Sequence, residues 1–120
     1  MRPVVGLPRF QAFYGIVLGF SVERLTNRLR IRLGDTVVVL RPPLGGTPPD
    51  DRFNERRIGL DHIAFRVGSE DDLTQFVVRL RGAGHPTTGI EVDPHGGGRF
   101  VCFRDPDNIQ LEAYLDGGDQ

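Results

Sequence analysis

The sequence predicts an α+β fold in which two βαβββ modules form a curled mixed sheet around a cavity, within a single domain of 120 residues. Three observations support this prediction. Apolar residues at helical spacing begin at Leu7 and again at Leu73, a glycine closes each stripe, and three strand-like segments follow each glycine. Because a helix covers only one face of each sheet, the other face is free to line a cavity.

Module one is predicted to occupy about residues 1–41. Residues 2–5 form at most a short strand, because Pro3 has no backbone donor. Three strands are predicted after the first helix, for residues 20–25, 29–33 and 36–40. That helix ends at Gly19, and its apolar stripe consists of Leu7, Phe10, Phe13, Tyr14, Val17 and Leu18.

Residues 42–58 are predicted to be a linker. Residues 42–51 are too rich in proline and glycine for regular structure, and a polar segment follows them. Two roles are open for the arginines of this linker. They contact an anionic ligand or partner, or, as the plainer alternative, they belong to a solvated loop. Module two then spans about residues 59–116 and begins with a strand. Its helix starts after Ser69 as N-cap and ends at Gly82. Three strands complete the module, at residues 86–92, 99–103 and 109–115.

The last two of these strands are joined by Asp105-Pro106-Asp107-Asn108, which is a turn by its chemistry. Apolar residues alternate with polar ones after the turn, so Gln110, Glu112 and Tyr114 share one face of the final strand. A carboxylate fixed on a strand is well placed to hold a metal or a ligand. A solvated glutamate on an open sheet face is the plainer alternative.

The first strand of module two shows the same alternation, over residues 60–67. Its polar face carries His62, Ala64 and Arg66. An imidazole on one strand and the carboxylate of Glu112 on another have the composition of a divalent metal site. The plainer alternative is a hydrogen-bonded histidine and an unrelated surface glutamate.

Composition narrows the classes of function. The net charge is −1, with 15 basic residues, all arginine, against 16 acidic ones, so nothing indicates nucleic acid binding. Cys102 is the single cysteine and lies in an apolar strand, which predicts a buried, unreactive thiol and suits a reducing cytoplasm. No apolar run approaches the ~20 residues of a membrane span, and no signal peptide is visible. We therefore expect a soluble cytoplasmic protein.

Three motifs together resemble the vicinal oxygen chelate superfamily, that is, the glyoxalase, bleomycin resistance and extradiol dioxygenase fold. They lie at residues 13–20, at residues 59–65 (Gly-Leu-Asp-His-Ile-Ala-Phe) and at residues 103–112 (Phe-Arg-Asp-Pro-Asp-Asn-Ile-Gln-Leu-Glu). In metal-using members of this superfamily, the ligands come from the first and last strands of each module. The resemblance maps two of these ligands onto His62 and Glu112. Module one departs from the pattern, because its histidine would precede Met1, which leaves the first strand truncated, and its acidic position falls near Val39.

Two functions from different classes remain open. The first is a lyase or dioxygenase-like enzyme that acts on a small oxygenated metabolite at a divalent ion (Fe, Mn, Ni, Zn or Mg), with His62 and Glu112 as ligands and Glu112 also catalytic. The second is a metal-free protein that binds a small molecule or sequesters an antibiotic. Arg66 and Tyr114 would contact the ligand, and His95 would reach it from a flexible glycine-rich lid. The resemblance also implies a homodimer, which would cover the apolar edge strand at residues 37–40.

Overall fold

The computed structural model describes residues 2–43 and 45–117, with side chains from Gly6 onward. These residues form two compact units whose boundary falls between Asp51 and Arg52. One unit contains a three-stranded sheet and the other a four-stranded sheet, and each contains helix as well. The α+β class predicted from the sequence is therefore confirmed.

The first unit begins with helix α1 (Arg2–Gln11), which continues as a π-helical segment (Ala12–Val17). The short strand predicted for residues 2–5 was wrong, because α1 already starts at Arg2. Pro3 falls in the first turn of the helix, where backbone N–H groups have no intrahelical acceptor, so its missing donor costs nothing there. Gly19 follows the helical segment with φ +81°, as expected of a glycine at a helix end.

An antiparallel sheet completes the first unit, and its three predicted strands are confirmed. In the order β1-β2-β3, the strands are Ser21–Arg24, Leu29–Leu33 and Thr36–Leu40. Leu29 and Ile31 of β2 are buried. The alternate residues of β2 pair with Val37 and Val39 of β3, both of which are exposed.

The second unit begins at Arg52, and its residues 52–62 form neither helix nor strand. Its strands run in the order β4-β7-β6-β5; β4 and β7 are parallel and the other pairs are antiparallel. The elements in chain order are β4 (Ile63–Arg66), α2 (Glu70–Gly82), β5 (Glu91–Val92), β6 (Arg99–Arg104) and β7 (Gln110–Leu115). Strand β5 is much shorter than predicted, because Gly89 has φ +87° and the Thr87 hydroxyl donates to the Cys102 carbonyl at 2.9 Å.

Helix α2 covers one face of the four-stranded sheet. The Ser69 side chain accepts a hydrogen bond from the Asp72 amide at 3.2 Å, which confirms the predicted N-cap. The rings of Phe76 and Phe103 stack with centroids 6.1 Å apart. The buried residues of this layer are Leu73, Phe76, Leu80, Val101, Phe103, Leu111 and Ala113. No helix among the described residues has the length and apolar character needed to cross a membrane.

The turn between β6 and β7 confirms the chemistry predicted for residues 105–108. Asp105 is buried, and its Oδ1 accepts the backbone N–H groups of Asp107 at 2.8 Å and of Ile109 at 2.9 Å. Asn108 adopts φ +73°, a conformation that asparagine tolerates better than most residues. The turn thereby fixes the register that places Cys102 opposite Glu112.

Candidate functional site

The face of the second sheet opposite α2 carries the polar residues predicted from the alternation. On β7, Leu111 and Ala113 are fully buried, while Glu112 between them points to the other face. On the parallel neighbour β4, Ala64 pairs with Glu112 and Arg66 pairs with Tyr114. Arg66, Glu112 and Tyr114, all predicted on these two strands, therefore lie on one face of the sheet, whereas His62 directly precedes β4 rather than standing within it.

His62 and Glu112 are in direct contact at this face. His62 Nε2 lies 3.2 Å from Glu112 Oε1, and His62 Nδ1 lies 2.7 Å from Asp61 Oδ2. The side chain of Glu112 is 21% exposed and that of His62 is 40% exposed, so the pair is open to a ligand from solvent. One imidazole thus stands between two carboxylates, with one nitrogen facing each.

This arrangement fits a divalent cation between Nε2 and Oε1. Two ligand atoms that each lie about 2.0–2.2 Å from a shared ion are roughly 3–3.5 Å apart in tetrahedral or octahedral geometry, and the observed separation is 3.2 Å. A carboxylate on the second ring nitrogen, here Asp61, is the usual outer partner of a metal-bound histidine. Among residues 2–43 and 45–117, no group of three or more His, Cys, Asp or Glu is arranged to hold a metal, so the pair amounts to two ligands.

Sequence patterns did not reveal a further set of polar residues joined to this pair. Arg104 donates from Nη1 to Glu55 Oε1 at 2.9 Å and from Nη2 to Glu55 Oε2 at 3.1 Å. Nη2 also donates to Gln110 Oε1 at 3.1 Å, and Gln110 Nε2 lies 3.4 Å from both Asp61 O and Asp61 Oδ2. We call this set, from Glu55 through Arg104, Gln110, Asp61 and His62 to Glu112, the polar chain.

Glu55 belongs to the segment that was predicted to be a solvated linker. The structure instead attaches that segment to the β6–β7 turn. Phe53 donates its N–H to the Asp107 carbonyl at 2.9 Å, and the Asn108 side chain donates to the Phe53 carbonyl at 3.1 Å. A polar segment without periodicity gives no signal for such contacts, because they depend on a turn more than 50 residues later in the chain.

The Arg104 guanidinium, mainly through its hydrogen bond, lowers the pKa of Glu55 from 4.5 to about 2. A carboxyl NMR titration should therefore show Glu55 ionising near pH 2, and Arg104→Gln should raise that midpoint towards the ordinary range. Because the folded-state pKa is lowered, the pair stabilises the protein above the ordinary glutamate range, and this contribution is lost as the pH falls through about 2. If Glu55 in the unsubstituted protein titrated with an ordinary glutamate pKa, the paired hydrogen bonds from Arg104 to its carboxylate would be contradicted.

Arg66 and Tyr114, both predicted to contact a ligand, lie together on the open face. Arg66 Nε donates to the Tyr114 hydroxyl at 3.3 Å, and the guanidinium carbon is 5.7 Å from the centre of the Tyr114 ring. Asp116 also lies 3.4 Å from Arg66 Nε. Hydrogen bonding to Tyr114 and the charge of Asp116 raise the pKa of Arg66, so the guanidinium is a permanent positive charge.

His95 lies in the turn between β5 and β6, whereas the other predicted site residues lie on β4, on β7 or directly before β4. The backbone N–H of His95 donates to Asp93 Oδ1 at 2.8 Å, and the backbone N–H of Asp93 donates to the Gly98 carbonyl at 2.7 Å. A Cβ at Gly98 would stand 2.7 Å from the Leu115 carbonyl oxygen, so this glycine allows close packing against the end of β7. The segment expected to be a flexible lid is thus a hydrogen-bonded turn. This turn leads into Arg99, the first residue of β6, which lies roughly 10 Å along the strand from Cys102, the partner of Glu112.

Cys102 differs from its prediction as a buried thiol. It is half-buried and faces the open side of the sheet, because the register pairs it with Glu112 rather than turning it towards α2. Desolvation, together with the negative charges of Glu112 and Glu91, raises the pKa of the thiol. The expected lack of reactivity is consistent with this environment, although the expected position in the core was wrong.

Comparisons with known proteins agree with the fold and with the motifs. A model of the Glyoxalase/Bleomycin resistance protein/Dioxygenase superfamily matches residues 1–113. The chain is 36% identical over 111 residues to the "Uncharacterized protein YwkD" of Bacillus subtilis (strain 168), covering 87% of this chain and 84% of that protein.

Solved structures include a glyoxylase/bleomycin resistance protein/dioxygenase domain from Frankia sp. EAN1pec, with 33% identity, a TM-score of 0.77, and coverage of 95% of this chain and 86% of that one. Lactoylglutathione lyase from Agrobacterium tumefaciens matches with 20% identity and a TM-score of 0.67 over 91% of this chain and 84% of that one, a likeness of fold alone. The chain, whose motifs resemble this family, belongs to the Glyoxalase/Bleomycin resistance protein/Dioxygenase superfamily.

Proposed function

We propose that the protein binds a small oxygenated metabolite at a divalent metal ion held in part by His62 and Glu112, and acts on it as a lyase or dioxygenase-like enzyme. The observation that supports this proposal is the 3.2 Å separation between His62 Nε2 and Glu112 Oε1, with Asp61 on the other ring nitrogen. An imidazole and a carboxylate suit Fe, Mn, Ni or Zn, and a carboxylate alone suits Mg.

Each residue of the pair has a distinct task in this proposal. Asp61 accepts the Nδ1 proton of His62, so the Nε2 lone pair remains available as a ligand. Glu112 supplies an anionic ligand oxygen and, through its carboxylate, a group that accepts a proton from a bound substrate. A divalent ion, when bound, supplies a Lewis acid for chelated substrate oxygens and for the negative charge that develops on them.

Arg66 and Tyr114 are proposed to bind the substrate. They lie two positions along their strands from the Ala64 and Glu112 pair, on the same face of the sheet. A guanidinium packed over a phenol ring offers both a positive charge and an aromatic surface. This combination favours a substrate with an anionic or strongly polar oxygen next to an apolar group. His95 is proposed to contact the part of a longer ligand that extends away from His62 and Glu112.

The alternative function is metal-free binding of a small molecule, of the kind that sequesters an antibiotic. The observation that favours this alternative is that a protonated His62 can donate to both Asp61 and Glu112, which satisfies both ring nitrogens without a metal. Arg66 and Tyr114 would then be the main contacts of the ligand. A homodimer and a cytoplasmic location also remain predictions, and the exposed Val37 and Val39 of β3 support an interface there.

Calorimetric titration of metal-stripped protein with Zn²⁺, Mn²⁺ and Ni²⁺ tests the proposal. We expect one equivalent of metal to bind, and we expect His62→Ala and Glu112→Gln each to reduce the affinity at least about 100-fold, beyond the loss typical of an outer partner. The affinity should also fall as the pH is lowered, because protons compete for the imidazole nitrogen.

His85→Ala is the matched control for this titration. His85 lies in the turn after α2, where its backbone N–H donates to the Leu80 carbonyl. This variant should bind metal like the unsubstituted protein. If His62→Ala and Glu112→Gln both bind metal with unchanged affinity, the proposed site is wrong. If no metal binds, the metal-free alternative replaces it.

A further inference from the structure

We propose, building on the proposed function, that Asp61 and Gln110 are positioning residues that hold the His62 imidazole in its Nδ1–H tautomer. The Arg104–Glu55 ion pair in turn fixes the orientation of Gln110. Asp61 contacts the Nδ1 atom of His62 and Gln110 contacts Asp61, whereas the Nε2 atom faces Glu112. Both act through His62, by deciding which of its nitrogens bears the proton.

The two carboxylates beside His62 compete for one proton. A neutral imidazole has a single N–H, which can go to Asp61 from Nδ1 or to Glu112 from Nε2. The Asp61 contact is 2.7 Å and the Glu112 contact is 3.2 Å. Only the shorter distance lies in the range of strong hydrogen bonds between a charged and a neutral group. The proton therefore resides on Nδ1, and the Nε2 lone pair faces Glu112.

Gln110 has one amide orientation that satisfies both of its neighbours. Arg104 offers only donors, so the amide atom 3.1 Å from its Nη2 is the carbonyl oxygen Oε1. The amide nitrogen then faces Asp61, where it lies 3.4 Å from the main-chain oxygen and 3.4 Å from Oδ2. Each contact is long, but together they restrain both the backbone and the carboxylate of Asp61.

Arg104 is itself held from several sides, which makes the orientation of Gln110 fixed rather than incidental. The guanidinium forks onto both oxygens of Glu55 and donates to the Asn108 carbonyl at 3.1 Å. Arg104 and Gln110 are also direct partners in the β6–β7 ladder. The polar chain thus links Glu55, in the segment before β4, to the imidazole of His62.

Nitrogen-15 NMR of the full chain, free of metal and at about pH 9 where an ordinary histidine is neutral, tests this inference. The ring signals of His62 are identified by their loss in His62→Ala. We expect the unsubstituted protein to show the Nδ1–H tautomer. Asp61→Ala should shift the majority to Nε2–H, and Gln110→Ala should shift it in the same direction by less. Asp61→Asn should retain the Nδ1–H tautomer, because its amide oxygen still accepts that proton.

Asp71→Ala is the control, since it removes an exposed acid from the first turn of α2, and it should leave the tautomer unchanged. An Nε2–H tautomer in the unsubstituted protein, or no change in Asp61→Ala, would overturn the inference. In a second arm, Asp61→Ala should weaken metal binding 10- to 100-fold, as is usual for outer partners. Unchanged affinity in that variant would overturn it too. If the unsubstituted protein binds no metal, the proposed function is wrong. The inference about Asp61 is then tested by the NMR measurement of the His62 tautomer alone.

Discussion

Leu111→Ala is expected to lower the free energy of unfolding by about 3 kcal/mol, within the range of 2–5 kcal/mol for a buried leucine. Leu111 is fully buried on the face of β7 that α2 covers. Its neighbour Glu112 points to the opposite face, so Glu112→Gln should change stability by less than about 1 kcal/mol while reducing metal affinity at least about 100-fold. Chemical denaturation of the two variants measures this difference.

Val78→Ala is the control for the leucine substitution, because Val78 lies on α2 but is 58% exposed. It should unfold like the unsubstituted protein. If Leu111→Ala were tolerated and Glu112→Gln were strongly destabilising, β7 would have the opposite face towards the core. A slip of one residue in the register produces that outcome, and it would remove Glu112 from the candidate site.

Asp105→Ala is expected to lower the free energy of unfolding by about 3 kcal/mol, because it removes a buried acceptor and leaves two backbone N–H groups without it, at a cost of about 1–3 kcal/mol each. The side chain is 4% exposed, so water cannot readily replace the carboxylate for the amides of Asp107 and Ile109. The same variant should also weaken metal binding, since the turn delivers Glu112 in register.

Asp105→Asn separates the loss of the carboxyl group from the loss of the acceptor. Its amide oxygen can accept both N–H groups, so most of the stability should return. Pro106→Ala, in the same turn, should cost only about 0.4–1 kcal/mol through the entropy of the unfolded chain. In thermal unfolding, Asp105→Ala should have a clearly lower melting temperature than Asp105→Asn and Pro106→Ala. Equal melting temperatures for Asp105→Ala and the unsubstituted protein would show that the turn does not need its carboxylate.

Much of the candidate site follows from simple periodicity. Alternation in β7 and in the residues around β4 is enough to predict the faces of Glu112, Arg66 and Tyr114, because one side of each strand must be buried. The same alternation predicts that His62 and Glu112 lie within joint reach of one ion or ligand. It does not predict their direct contact at 3.2 Å, because that contact depends on the parallel pairing of β4 with β7, which no local pattern specifies.

Other parts of the structure could not be obtained from local patterns. Residues 2–5 are helical, and the sequence does not exclude this, because a first helical turn tolerates proline and a short apolar stretch fits helix and strand equally well. The apolar residues around Cys102 predict a core position, because the sequence alone does not specify the register against β7 that turns this side chain to the open face. Glu55 meets Arg104 across 49 residues of chain. Contacts of this kind come from tertiary structure, and the side chains concerned are common surface types in both segments.

The most direct measurement of the central claim is anomalous diffraction from crystals of the protein grown with Mn²⁺ or Zn²⁺. The proposed site predicts a single strong anomalous peak within about 2.3 Å of both His62 Nε2 and a Glu112 carboxylate oxygen, with Asp61 still accepting from Nδ1. A peak bound at other residues, or no peak at a metal concentration that saturates the protein in solution, would contradict the claim that His62 and Glu112 jointly hold a divalent ion.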